Sequence, residues 1–170
     1  MIVGSLCNND IFMASQLIKM GFCIEIFRHR SEIEILDKAF LKLCNIDKSQ
    51  LVEYQNTKQF LKHCLNAKVI ISFAGSLIFY LNKALYITYI NLLPPIISIA
   101  TGSDLYEAPF HKSITGHRYR VIFKRSFLVV VVPMGPFISA CNKLLLNRIM
   151  FIRHPYFIWP HGIKKEILQT

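Results

Sequence analysis

The first 27 residues read MIVGSLCNNDIFMASQLIKMGFCIEIF, and this stretch decides the fold class. Residues 1–6 form an apolar strand that runs into a polar, glycine-containing turn. A helix is predicted over residues 10–20, because apolar residues recur there at every third or fourth position. Gly21 stands where a left-handed helix end is expected, and residues 22–27 follow as a second strand. A strand, a helix and a strand in this order predict a βαβ unit with parallel strands.

The same alternation continues along the rest of the chain, after a polar connection at residues 44–58. We therefore predict an α/β fold with a Rossmann-like, doubly wound, mostly parallel sheet. It is expected to form a single domain over residues 1–160, with a short tail at residues 161–170. The predicted helices cover residues 57–67, 77–92, 116–125 and 136–147, and the predicted strands residues 69–73, 96–100, 127–132 and 149–152.

Residues 76–93 are apolar enough to approach transmembrane length. Lys83 beside Asn82 would be costly at the centre of a bilayer. A buried helix at a subunit interface or at a membrane-facing surface is the preferred interpretation, and a membrane span is the alternative.

The five cysteines are spread along the chain without a C-x-x-C pair, so neither a zinc site nor a disulfide framework is predicted. The N-terminus has no basic leader and no apolar run of signal-peptide length. We therefore expect a cytoplasmic protein with no metal and no cofactor of its own. The dinucleotide fingerprint, the Walker lysine motif, H-E-x-x-H and G-x-S-x-G are all missing, which argues against nicotinamide, kinase and ordinary hydrolase chemistry.

Positive charge is concentrated in the second part of the chain. Residues 1–54 hold 6 Lys/Arg against 7 Asp/Glu, whereas residues 55–170 hold 14 against 3. A basic surface attracts nucleic acid, acidic phospholipid and lipid-linked phosphate through the same field. No nucleic-acid-binding motif is present, so an anionic membrane surface or a lipid-linked partner is expected and nucleic acid is not.

Three polar turns follow predicted strands, at the edge of a parallel sheet where ligands bind. Each turn contains a glycine, which lets a ligand approach the backbone, and small side chains able to bond sugar hydroxyls or phosphate oxygens. Ordinary tight turns and helix caps use the same residue types, so a purely structural role is the alternative. The candidate substrate-binding residues are Gly4, Ser5, Gly75, Thr101, Gly102, Ser103 and Asp104.

A basic segment interleaved with aromatic residues follows the last of these turns. Positive charge combined with aromatic anchors suits an anionic membrane interface. A solvated helix face is the alternative. The residues predicted to form this surface are Lys112, Arg118, Tyr119, Arg120, Lys124 and Arg125.

Residues 95–105, Pro-Ile-Ile-Ser-Ile-Ala-Thr-Gly-Ser-Asp-Leu, resemble an element in the N-terminal domain of retaining, GT-B-fold glycosyltransferases of the family-four type. Four neighbouring motifs agree in order, at residues 17–22, 67–71, 125–129 and 152–155. The resemblance covers nearly the whole chain, although each motif is weakly specific by itself.

The resemblance implies the acceptor-binding half of a two-domain glycosyltransferase, whose active site is the cleft between the domains. It places Gly4 near the donor phosphates and residues 101–104 facing the acceptor and the transferred sugar. On this basis the main-chain N–H groups of Gly4 and Gly102 are candidate phosphate donors, and no catalytic base is named. Thr101 stands where many members of the family carry a histidine.

Only ten residues follow Pro160, so the donor-binding lysine and glutamates of the family have no counterpart here. We therefore expect a glycan or lipid-linked acceptor to bind this chain. The nucleotide-sugar co-substrate would be held either by a separate donor-binding subunit or by a donor half that a truncated reading frame lacks. Two alternatives remain open. One is a non-catalytic, membrane-peripheral binding module on the same scaffold, and the other is an unrelated Rossmann-like domain that binds a small nucleotide.

Overall fold

Seven parallel strands form one sheet in a computed structural model of the protein, in the order β3-β2-β1-β4-β5-β6-β7. The structure describes residues 1–3, 9–34, 38–73, 75–81 and 90–152. The strands are β1 (Ile2–Val3), β2 (Ile26–Arg28), β3 (Leu51–Glu53), β4 (Ile70–Phe73), β5 (Ile96–Ile99), β6 (Leu128–Val131) and β7 (Ile149–Phe151).

Helices alternate with these strands along the described part of the chain. Short 3-10 turns at Lys48–Gln50 and Ala108–Phe110 complete the connections. The helices are α1 (Asn9–Lys19), α2 (Arg30–Glu34), α3 (Lys38–Leu43), α4 (Thr57–Asn66), α5 (Leu77–Tyr80), α6 (Ser103–Tyr106), α7 (Ile114–Arg125) and α8 (Gly135–Leu144).

The sheet is buried between two apolar layers, which explains why its strands are rich in isoleucine and valine on both faces. One layer packs α4, α5, α7 and α8 against the sheet through side chains such as Phe60, Leu77 and Phe137. The other packs α1 and α3 against the opposite face through Ile11 and Leu41. The predicted α/β, Rossmann-like, doubly wound arrangement in a single domain is confirmed.

The polar connection predicted at residues 44–58 is wrong in one respect, because it contains β3. Register pairs Leu51 with Ile26 and Val52 with Phe27 at the edge of the sheet. The strand has three residues and is only partly buried, so its hydrophobic signal is weak. The second strand is also shorter than predicted, since β2 begins at Ile26 rather than Phe22.

The helix predicted over residues 77–92 does not continue as one element. α5 ends at Tyr80, because Leu81 adopts an extended conformation with ψ of 123°. The middle of the predicted helix, residues 82–89, lies outside the described residues, as do residues 153–160 and the predicted tail at 161–170. Among the described helices, none has both the length and the apolar character that crossing a bilayer requires.

Candidate functional site at the carboxyl edge of the sheet

The strand order reverses at β1, which lies between β2 and β4. Chain connections leave β1 and β4 in opposite directions across the sheet, and at such a reversal a ligand crevice is expected at the carboxyl ends of the strands. Gly4 and Ser5 follow β1 directly, but residues 4–8 lie outside the described residues. The parts of this edge that can be described are the turns after β4 and β5 and the ends of β1 and β2.

The turn after β4 is fixed to its neighbours by steric contact and by hydrogen bonds. Gly75 has φ of 62°, and a Cβ at this position would lie 2.4 Å from Cε1 of Tyr119. The Ser76 hydroxyl donates to the backbone oxygen of Val3 at 3.0 Å. The Leu77 N–H donates to Oγ of Ser72 at 3.3 Å. These contacts explain Gly75 through packing, and its role in substrate binding stays a prediction.

The turn after β5 is organised by the carboxylate of Asp104. The Gly102 N–H donates to Oδ1 of Asp104 at 2.6 Å, and the Thr101 N–H donates to the same oxygen at 3.1 Å. Ser103 begins α6. The structure therefore brings together four of the predicted residues, Thr101, Gly102, Ser103 and Asp104, in one turn.

This arrangement changes the chemistry expected of Gly102. Its N–H is already used by a carboxylate of the chain itself, and a second anion at the same position would be repelled. The hypothesis that Gly102 donates to a phosphate is therefore not favoured by the geometry. The half-buried Thr101 hydroxyl remains suited to bonding a sugar hydroxyl.

Asp104 is 7% exposed. Burial raises its pKa to about 6, although the backbone N–H groups of Gly102 and Thr101 oppose the shift. Burial also raises the pKa of the Tyr119 phenol, and the charge of Asp104 adds to that shift. A carboxyl group with a pKa near 6 can exchange a proton near neutral pH, which makes it the strongest candidate acid or base among the predicted residues.

A buried ion pair lies at the same edge of the sheet, at the end of β2. It was not predicted from the sequence. Arg28 Nε donates to Oδ2 of Asp10 at 3.0 Å, and Arg28 Nη2 contacts the other carboxylate oxygen. Both side chains are almost fully buried. Burial raises the pKa of Asp10, and Arg28 opposes that shift. Arg28 ends β2 and Asp10 lies in the first turn of α1, and the pairing of β1 with β2 brings the two side chains together.

An aromatic group lies beside this ion pair. His29 stacks on Tyr80 with ring centroids 4.7 Å apart, and Tyr54 contacts both rings edge-on. The Tyr54 hydroxyl and the Thr57 hydroxyl lie 3.0 Å apart. These residues join the ends of β2 and β3 to α5. The sequence offered no periodic signal for this group, because its members come from three separate connections.

An exposed surface follows the β5 turn, and we call it the apolar–basic surface. It consists of Tyr106, Phe110, Lys112, Ile114 and Lys143. Tyr106, Phe110 and Ile114 are 42%, 40% and 67% exposed. Lys143 Nζ lies 5.6 Å from the centre of the Phe110 ring, which shows that the α8 lysine and the 3-10 turn are neighbours.

The basic residues that the sequence grouped into one surface are divided by the structure. α7 has twelve residues, so its ends are about 18 Å apart. Lys112 lies before its first turn, whereas Lys124 and Arg125 are in its last turn. Arg118 is half-buried.

Two members of this group, Arg120 and Tyr119, contact other parts of the chain through their side chains. Arg120 is half-buried and donates to the backbone oxygen of Pro109, which ties α7 to the preceding 3-10 turn. Tyr119 is 8% exposed and packs on Gly75, so its assignment to an exposed surface is wrong. The cause is its position on the helix, since Tyr119, Ile122 and Phe123 share the buried face.

The fold and the turns at its carboxyl edge define a Rossmann-like α/β domain. Within the described segments, no group of three or more His, Cys, Asp or Glu side chains could hold a metal ion. Comparison with protein-family models, curated proteins and solved structures finds no match to this chain.

Proposed function

We propose that this chain is the acceptor-binding half of a glycosyltransferase that moves a sugar from a nucleotide-sugar to a membrane-associated glycan or a lipid-linked acceptor. The proposal rests on the resemblance of residues 95–105 to family-four glycosyltransferases. The structural observation that supports it is the apolar–basic surface, which begins directly after the hydroxyl-bearing turn at residues 101–104.

The apolar–basic surface has the chemistry needed to hold a membrane next to this turn. Phe110 and Ile114 can insert between lipid headgroups, while Lys112 and Lys143 attract anionic lipids. Glu107 is an acidic residue close to this surface, and its carboxylate lies 3.8 Å from the His111 ring. A lipid-linked acceptor held in the bilayer would then present its first sugar to the turn.

Within the turn, Thr101 and Asp104 supply complementary groups for an acceptor. The Thr101 hydroxyl orients sugar hydroxyls, while the buried Asp104 fixes the turn through backbone hydrogen bonds. Asp104 also exchanges a proton close to neutral pH, given its raised pKa. The nucleotide-sugar is held by a donor-binding domain or subunit outside these residues, and the Gly102 N–H does not serve its phosphates because a carboxylate occupies it.

Flotation with vesicles tests the membrane part of this proposal. The chain is mixed with neutral vesicles, with anionic vesicles, and with anionic vesicles that carry a polyprenyl-diphosphate saccharide. We expect binding to anionic vesicles that weakens as salt rises, and tighter binding when the saccharide is present. Replacing Lys112 and Lys143 by glutamine should weaken vesicle binding roughly 30-fold, at about 1 kcal/mol for each lysine near the surface.

The matched control replaces Lys62 and Lys68 by glutamine. Both are exposed and lie on or just after α4, away from the apolar–basic surface. Equal loss of binding in the two double variants would contradict a specific surface. Vesicle binding that ignores the saccharide would favour the alternative, a non-catalytic membrane-peripheral module.

A further inference from the structure

A second basic region lies at the opposite, amino-terminal edge of the sheet, where the chain enters β5, β6 and β7. A groove of about 530 Å³ opens there between the ends of α7 and α8. Its charged and apolar lining includes Lys124, Arg125, Phe127, Leu144, Leu145 and Arg148. It is distinct from the carboxyl edge and plays no part in the proposed function.

The groove combines three cations with an apolar floor. Leu144 and Val129 are buried beneath it, and none of the described residues that line it is acidic. The Arg148 guanidinium lies 4.7 Å from the centre of the Phe127 ring, so it is held at the rim by the aromatic face. An arginine on a ring still presents its N–H edge to an anion.

The negative ends of the two helices do not cancel this charge. In the last turn of α7, the Ile122 carbonyl accepts from the backbone N–H and the hydroxyl of Ser126. At the end of α8, the N–H groups of Leu145 and Leu146 donate to carbonyls of the last turn. Three cations outweigh the roughly half negative charge at each of the two helix ends, so the local field is positive.

Leu145 adds an independent observation. It adopts the left-handed conformation, with φ of 53° and ψ of 49°, at a helix end where glycine is favoured. It is also 77% exposed. Phe127 on the same groove is 51% exposed. An exposed leucine in a strained conformation and an exposed phenylalanine offer apolar surface to a ligand.

We propose that this groove binds a single amphipathic phosphate, in which a phosphate head contacts Arg125 and Arg148 and an apolar chain lies along Phe127 and Leu145. Arginine suits the head, because its fork of N–H donors matches the oxygens of a phosphate. The floor suits the chain, because it removes methylene groups from water.

Calorimetry on the full chain tests this proposal with decyl phosphate, below the concentration at which it forms micelles. Inorganic phosphate and the neutral decyl maltoside are titrated in parallel. We expect saturable 1:1 binding of decyl phosphate, and much weaker binding of both comparison compounds. Comparable binding of inorganic phosphate would overturn the role of the apolar chain, and comparable binding of decyl maltoside would overturn the role of the cations.

Variants locate the site. Arg148→Gln and Arg125→Gln should each weaken decyl phosphate binding roughly tenfold or more, because each removes a charge-assisted contact. Leu145→Gly should raise the midpoint of thermal unfolding while it weakens decyl phosphate binding, so lost binding could not be attributed to a damaged fold. Unchanged affinity in all three variants would overturn the proposal.

The Lys112→Gln variant separates this site from the apolar–basic surface, because Lys112 lies before the first turn of α7, whereas Lys143 directly precedes the groove residue Leu144. It should bind decyl phosphate like the unmodified chain even where its vesicle binding is reduced. Loss of decyl phosphate binding in that variant would show that the ligand occupies the apolar–basic surface instead of the groove.

Discussion

Replacement of Gly75 by alanine should destabilise the domain by about 2–4 kcal/mol. A new Cβ would lie 2.4 Å from Cε1 and 2.8 Å from Cδ1 of Tyr119, both far inside normal contact distance. Overpacking of this kind costs roughly 1–3 kcal/mol. The φ of 62° adds about 1 kcal/mol for a residue with a side chain. The loss is large compared with the 5–15 kcal/mol that typically stabilises a domain, so it is readily measured.

Urea unfolding followed by far-ultraviolet circular dichroism measures this effect. The double variant Gly75→Ala/Tyr119→Ala lacks the clash, because the Tyr119 ring is gone. Its loss of stability should therefore be about 1–3 kcal/mol smaller than the sum of the losses in the two single variants. Gly102→Ala is the matched control, because a Cβ there meets nothing within 4 Å. Additivity within about 0.5 kcal/mol would refute the contact between Gly75 and Tyr119.

Three further predictions concern the same edge of the sheet. Asp10→Asn should lower the free energy of unfolding in urea by about 3–5 kcal/mol, because the buried Arg28 guanidinium loses its carboxylate partner. A decrease below about 1 kcal/mol would contradict a buried ion pair. Ser76→Ala should lower the free energy of unfolding by about 1–3 kcal/mol, because the buried Val3 carbonyl loses the hydroxyl that donates to it. An unchanged free energy of unfolding would exclude this hydrogen bond. The pKa of Asp104 is raised from 3.8 to about 6, so its contribution to stability is present below pH 3.8 and is lost as pH rises through 6. Between these two pH values the free energy of unfolding should fall by roughly 3 kcal/mol. Asp104→Asn should not show this fall when its urea unfolding is measured over the same pH range. Identical pH profiles for the variant and the unmodified chain would contradict the raised pKa.

Elements with uniform hydrophobicity were predictable from the sequence. β6 is an unbroken apolar run of one leucine and three valines, because neighbouring strands pair with both its edges and helices cover both its faces. α4 and α7 were predicted at residues 57–67 and 116–125, close to their observed positions. The Asn56 and Ser113 side chains cap their first turns, and the Ser113 cap explains why α7 begins at Ile114, two residues earlier than predicted. β3 was missed because an edge strand of three residues, none of them fully buried, carries little hydrophobic signal.

The candidate site was predictable where its residues are close in sequence. Residues 101–104 form one turn, as their glycine and aspartate indicated. The contact of Gly75 with Tyr119 and the pairing of Asp10 with Arg28 depend on how separate elements meet in space. Helix periodicity alone could have placed Tyr119 on the buried face of α7.

The central claim is that this chain binds the acceptor and not the donor. Its most direct test is calorimetry of the full chain with a water-soluble, short-chain polyprenyl-diphosphate saccharide, compared with UDP-, GDP- and dTDP-sugars. The account predicts saturable binding of the saccharide that is weakened by Thr101→Val, and no measurable binding of the nucleotide-sugars. Saturable binding of a nucleotide-sugar, with no binding of the saccharide, would contradict it.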